Sequence, residues 1–393
     1  MSFFGDFKFF IYLFIALIPA IILGIKEKKI KYYSIMLTIF FIAIIVGNDI
    51  KQLMYLLLYA FVELHIIKIY MLLRRKYGKN RAIYMHAIIF SVIPLILCKI
   101  STKIGLSIFG FVGISYLTFK TVQIIIETYD GLIDKLDTVD FLEFLFFFPT
   151  LSSGPIDRSR RFIDNMNKTY TKKEYLELLG NGIQKISLGL LYKFVLSGIF
   201  NSILLSVTGS YSPKYVLAYA YAYGFYMFFD FAGYSLMAVG TSYILGIKTP
   251  DNFNKPFISI DIKDFWDRWH ITLSHWLRDF VFTRFMMNSI KNKRFKSKLT
   301  MAFMGFMINM TLMGIWHGLS WNYILYGIYH GILLGITEIY QKKSKFYKKH
   351  KNNKFYKLCS WFITINCVMF GFLIFSGYIE NVAQKYISFL LIK

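Results

Sequence analysis

Two stretches of this chain combine the residue types that proton-transfer chemistry needs. They are DFWDRWHITLSHWLRDF, Asp264 to Phe280, and MGIWHGLSWNYILYG, Met313 to Gly327. Each sets a histidine among tryptophans inside a chain that is otherwise mostly apolar helix. Histidine is the side chain whose ordinary titration falls nearest neutral pH, so it can take up and return a proton there. A polar ring is costly inside a bilayer, and its presence marks a transport path or a reaction centre. His317 stands near the end of an apolar run, flanked by Trp316 and Gly318, with no carboxylate in the neighbouring turn. A desolvated imidazole in that setting stays uncharged, which is the form that accepts a proton. Gly318 would leave room for a close substrate, and Trp316 and Trp321 could wall a channel. The plainer alternative is a histidine that caps a helix by bonding a carbonyl. His270 follows Asp267 by three residues, which on a continuous helix shares a face and could fix the ring tautomer. An interfacial helix whose charges meet water and lipid heads explains the same residues.

Other chemistries lack their residues. His270 and His275 lie five apart, roughly 140° around a helix, so they do not share a face. A zinc pair on a helix needs i, i+4 spacing with a nearby glutamate, and neither that nor a Cys–His cluster is present. GxSxG and phosphate-binding glycine loops are also missing. Asp230, in YMFFDFAGYS, must find a partner or take up a proton if it is buried. Lys193 and Arg158 are possible mates, and a structural ion pair competes with a substrate contact. His65, His86 and His330 read as satisfied packing residues, and His350 as a solvated one.

The elements that must position these groups follow from composition. The 393 residues are 56% hydrophobic and 19% aromatic, with only 17% charged. A soluble chain carries nearer a quarter charged residues. The chain is therefore expected to be an all-α polytopic membrane protein, a single domain over 1–393. Counted against the roughly 20 helical residues a bilayer needs, apolar runs fall at 9–25, 33–47, 53–73, 82–98, 104–126, 185–207, 214–246, 299–318, 321–340 and 358–378. Two stretches, 141–183 and 251–283, mix aromatics, charges and Gly or Pro. They read as re-entrant or interfacial segments buried in protein, where non-helical backbone is tolerated. The first run lacks a basic region before it, so it reads as a span and not as a cleaved signal peptide. Cys98, Cys359 and Cys367 read as small core residues without a disulfide.

The net charge of +24 is dispersed among short loops at 26–31, 74–81, 157–161, 291–298 and 342–357. That is the distribution of cytoplasmic loops under the positive-inside rule, with attraction to anionic lipids added. It argues against nucleic-acid binding and puts the N-terminus outside the cell membrane. The loop after residue 283 carries Arg284, Lys291, Lys293, Arg294, Lys296 and Lys298, behind an apolar cluster of Phe285, Met286 and Met287. A membrane-surface helix would have the same composition.

FFPTLSSGPIDRSRRF (147–162), FDFAGYSLMAVG (229–240) and the two histidine segments, taken together and in order, resemble the signature segments of membrane-bound O-acyltransferases. The resemblance runs from about residue 100 to 340. Length, the GPIDR segment and the histidine positions are most similar to the branch that D-alanylates teichoic acid. It implies a ring of about 10–11 transmembrane helices, with re-entrant helices around a thin central partition. His317 matches the family's near-invariant histidine, and His270 its second position. It also implies no permanently bound cofactor. The donor would be D-alanine as a thioester on the phosphopantetheine arm of a small acidic carrier protein (DltC-like). That carrier would be steered to the 284–298 loop and docked by Arg284, Phe285, Met286, Met287 and Lys291. Further implied partners are a DltD-like protein, a DltX-like single-span peptide and the teichoic acid acceptor. An O-acetyltransferase for an exported polysaccharide, of the alginate type, is the alternative within the family. A non-catalytic transporter or scaffold is the alternative outside it, although the repeat symmetry of transporters is not found.

Overall fold

The computed structural model describes residues 2–47, 49–105, 110–209 and 212–383. The start of the expected span 104–126 falls partly outside these residues. Among the described residues the chain is helical with no strand. Six helices are long and apolar enough to cross a membrane: those within 7–25, 50–77, 81–103, 172–207, 298–317 and 354–375. A seventh apolar helix, Lys31–Val46, is shorter. Three further expected spans are helices too, at Ile114–Asp130, Pro213–Ile244 and Trp321–Lys343. They carry polar and aromatic residues along their length, which separates them from the uniformly apolar set. The chain divides into two compact units, Met1–Leu190 with Gly233–Asp251, and Leu191–Ala232 with Asn252–Lys393.

The first unit holds α1 (Phe7–Ile25), α2 (Lys31–Val46), α3 (Ile50–Tyr77), α4 (Arg81–Lys103), α5 (Ile114–Asp130), α6 (Thr138–Phe146), α7 (Ser159–Asn167) and α8 (Lys172–Leu190). Its centre is α5, buried along almost its whole length. The buried ammonium of Lys120 on α5 donates to the carbonyls of Phe144 at 3.0 Å and Leu145 at 3.2 Å. Those carbonyls end α6, where a helix leaves acceptors unsatisfied and its dipole favours a cation. The Glu143 carboxyl accepts from Ser34 at 2.8 Å and Thr38 at 3.3 Å. Past α6 the chain runs through one 3-10 turn, Phe148–Thr150, and then irregular backbone to Asp157, nearly all of it buried. Arg161 pairs with Asp157, and Ser152 bonds the Tyr234 hydroxyl at 2.6 Å. The GPIDR segment is thus non-helical backbone packed in protein.

The second unit holds α9 (Ser197–Val207), the first part of α10 (Pro213–Ile244), α11 (Ile262–Trp266), α12 (Ile271–Leu277), α13 (Thr283–Lys291), α14 (Lys298–His317), α15 (Trp321–Lys343), α16 (Lys345–His350) and α17 (Lys354–Phe375). Helices α14 and α15 form an antiparallel hairpin along a glycine seam. A Cβ at Gly327 would meet the Met310 carbonyl, one at Gly331 would meet Met307, and one at Gly335 the Phe303 ring. The i, i+4 spacing of these glycines lets two backbones approach where the hydrophobic effect between helices is weak. That close approach sets where the end of α14, and His317 with it, stands.

Candidate active site

The segment 252–282 is folded by local rules that break any long helix. Asp261 caps α11 by accepting from the amides of Lys263 and Asp264. The Arg268 guanidinium donates to Asp264 at 2.6 Å. Buried Asn252 accepts the Thr272 hydroxyl at 2.6 Å and the Ile271 amide at 2.9 Å, and Asn254 donates to the Arg268 carbonyl at 3.0 Å. The loop is thereby laced to the turn that carries His270. Helix α11 ends at Trp266 with Asp267 as its C-cap, and His270 takes φ 43° and ψ 52° ahead of α12. That left-handed conformation costs a residue with a Cβ roughly 1–2 kcal/mol, and such strain concentrates at functional sites. The expectation that Asp267 shares a helical face with His270 is therefore corrected: the helix stops between them. A π turn at Arg278–Phe282 follows inside one continuous helical stretch, 271–291, so the expected interfacial segment is loop, the short α11, and the start of a longer helix.

His270 is buried, its ring edge-on to Phe231 at 4.8 Å between centroids. His317 is the last residue of α14 and half-buried. Its ring meets Trp316 at 4.7 Å, Phe375 edge-on at 5.1 Å, and Tyr323 at 6.2 Å. His270 and His317, 47 positions apart in the chain, both stand beside α17: Trp269, next to His270, packs on Phe372 at 4.9 Å, and the His317 ring packs on Phe375. Gly318 departs from expectation. A Cβ there would strike the Tyr323 ring, so the glycine makes room for a tyrosine and not for a substrate. Trp321 also departs: it is 69% exposed at the first turn of α15.

A cavity of about 330 Å³ opens among α11, α12, α14 and α15. Lys263, paired with Glu338, and Asp267 and Arg278 supply charge to it, and Leu273, Met310 and Met313 supply apolar wall; the histidine in its lining is His275, with His270 and His317 outside it. Met313 is one turn before His317 and so on the same face of α14. Asp267 belongs to this cavity wall. Asn309, buried on α14, joins the lining and had no signal in the sequence beyond a lone amide in an apolar helix. His330 is fully buried and accepts the Trp266 indole N–H at Nδ1, 3.3 Å. That bond places the ring's own proton on Nε2. His65 and His86 bond carbonyls one turn earlier, at 2.7 and 2.8 Å.

Asp230 on α10 forms an ion pair with Lys193. Lys193 sits in a π turn, Leu191–Leu196, which points its ammonium toward α10. Arg158, the other mate considered, donates to Gln123 at 3.4 Å. On α13, Met287 is 66% and Ile290 61% exposed. Phe285 instead packs against Phe295 at 6.0 Å, and Met286 and Arg284 are half-buried. The apolar knob is therefore Met287 with Ile290, one turn apart, and Lys291 follows at the helix end. Among the described residues no group of three or more His, Cys, Asp and Glu side chains could hold a metal ion.

Residues 31–379 match the model of the MBOAT, membrane-bound O-acyltransferase family. The chain is 42% identical over 389 residues to the teichoic acid D-alanyltransferase of Bacillus subtilis (strain 168), covering 96% of this chain and 98% of that protein. It is 41% identical over 398 residues to the teichoic acid D-alanyltransferase of Streptococcus thermophilus, with 96% and 95% covered. The probable alginate O-acetylase AlgI of Azotobacter vinelandii is 33% identical over 269 residues, 66% of this chain and 50% of that protein.

Proposed function

This chain belongs to the membrane-bound O-acyltransferase family, and from that premise we propose that it moves D-alanine onto teichoic acid. The near full-length identity to two teichoic acid D-alanyltransferases supports that substrate class over alginate-type acetylation, where the likeness spans half of the relative. The donor is a D-alanyl thioester on the phosphopantetheine arm of an acidic, DltC-like carrier protein inside the cell. The acceptor side involves a DltD-like protein and a DltX-like single-span peptide. The enzyme lies in the plasma membrane with its N-terminus outside, which puts the lysine-rich loops inside.

One observation carries the mechanism: His317 ends α14 one turn from Met313 of the cavity wall, and α17 packs against both His317 and the Trp269–His270 turn. The donor arm enters that cavity. Neutral His317 takes the proton of the acceptor hydroxyl as its oxygen attacks the thioester carbonyl. The C–S bond then breaks, and the departing thiolate recovers the proton from the imidazolium. His270, held by its strained backbone and by Phe231, lines the passage as a buried ring. Positioned proton transfer of this kind contributes about 10²- to 10⁴-fold. In a reconstituted system with loaded carrier, His317→Ala is expected to lose about that factor in ester formation while carrier binding persists. A normal rate for H317A would overturn the assignment.

A further inference from the structure

A second cavity, larger than the first, opens where the last two long helices meet the lysine-rich segment. Its volume is about 630 Å³, among the end of α15, α16, the start of α17 and residues Ile260 to Ile262. The sequence from 342 to 357 contains eight lysines and no Asp or Glu. Ser344 caps α16 by accepting the Tyr347 amide, and Asn353 caps α17 by accepting from Phe355 and Tyr356. These two caps fold the segment over the cavity, so Lys351 and Lys357 come to its lining. The remaining charged or titratable groups there are accounted for. Asp261 is engaged by the α11 amides and by Gln341 at 3.0 Å, and His350 bonds the Phe346 carbonyl at 3.0 Å. Two lysines against one carboxylate leave the lining net positive, and that carboxylate, Asp261, is turned to the α11 amides and Gln341.

Below the lysines the lining turns apolar. Leu333 and Ile336 on α15 and Ile363 and Cys367 on α17 form the floor, and Lys357 to Cys367 spans about 15 Å of helix. Ile336 and Ile363 are 54% and 62% exposed, the latter on a helix apolar enough to span the bilayer, so the floor opens toward hydrocarbon. Tyr340 and Tyr356, with hydroxyls 3.5 Å apart, stand at the boundary between the two zones, as amphipathic rings do at headgroup level. A free anion would not use the apolar floor, and a folded protein would not enter the cavity. We infer that this site holds an anionic phospholipid, with its phosphate at Lys351 and Lys357 and an acyl chain along Ile336 and Ile363.

The test is lipid retention on the full-length protein, purified in mild detergent and weighed intact by native mass spectrometry after incubation with phosphatidylglycerol or phosphatidylcholine of matched chains. Phosphatidylglycerol is expected to be retained about tenfold more, given the contribution of each basic residue near anionic lipid. K351E/K357E is expected to bring it down to the phosphatidylcholine level, whereas K351R/K357R, and K76E/K173E in the first unit, keep it. Equal retention of the two lipids by the native protein, or unchanged retention by K351E/K357E, overturns the inference. Displacement of the lipid by millimolar inorganic phosphate would overturn it in favour of a free-anion site. Loss of carrier binding by K351E/K357E with lipid retention intact would assign the lysines to the carrier instead.

Discussion

At the scale of single residues, the site rests on where backbone rules stop a helix. His317 ends α14, and His270 occupies a left-handed turn between α11 and α12. Both rings are therefore held at helix ends, where a side chain can turn away from its own helix. The strain at His270 gives a specific expectation. His270→Gly relieves the backbone cost and is expected to preserve folding, by thermal unfolding in detergent, while reducing acyl transfer at least tenfold. Unchanged transfer by H270G would show that the ring has no part in the reaction. His270 and His317 both stand out in the sequence, because a polar ring between tryptophans is costly to keep in an apolar chain. The helical relation of Asp267 to His270 does not hold, since period-3.6 reasoning assumes a helix that the Asp261 cap and the Asn252 lacing interrupt.

Helices and their contacts make a second set of claims. The α14–α15 hairpin is set by Gly327, Gly331 and Gly335, whose missing side chains are filled by the facing helix. Gly327→Leu would push against the Met310 carbonyl, which is backbone and cannot move aside. Overpacking of this kind costs about 1–3 kcal/mol, so a lowered melting temperature and lost transfer are expected together for G327L. A melting curve that matches the native protein's would argue against the seam. On α13 the exposed pair is Met287 and Ile290, and an apolar anchor contributes more to affinity than the charges that steer approach. Met287→Asp is expected to weaken carrier binding about tenfold or more, and the half-buried Met286 less, by titration of labelled carrier. The sequence showed an apolar cluster at 285–287; only the helix register showed which of its faces is free.

For the whole molecule, charge and hydropathy decide orientation and encounter. The chain holds forty-six Lys and Arg against twenty-two Asp and Glu, many of them clustered between apolar runs, and the positive-inside rule assigns such clusters to the cytoplasmic side. Cysteine substitutions in a background without Cys98, Cys359 and Cys367 test this directly. S2C is expected to react with an impermeant maleimide on intact cells, and K296C only after permeabilisation; the reverse pattern would invert the topology. The proposed steering of an acidic carrier by these loops predicts that raising ionic strength slows association, with the turnover at saturating carrier unaffected. The screening length is about 8 Å at 0.15 M salt.

Class and membrane character were settled by the order of residues alone, and that order also singled out the two central histidines. Hydropathy and charge act on every segment independently of its neighbours, so they can be read along a line. Four things required the fold: the placing of His270 and His317 beside the one helix α17, the pairing of Asp230 with Lys193, the ring of Tyr323 filling the space beside Gly318, and the cavity over α17. Each depends on helices meeting at particular turns, and no local rule of spacing carries that information.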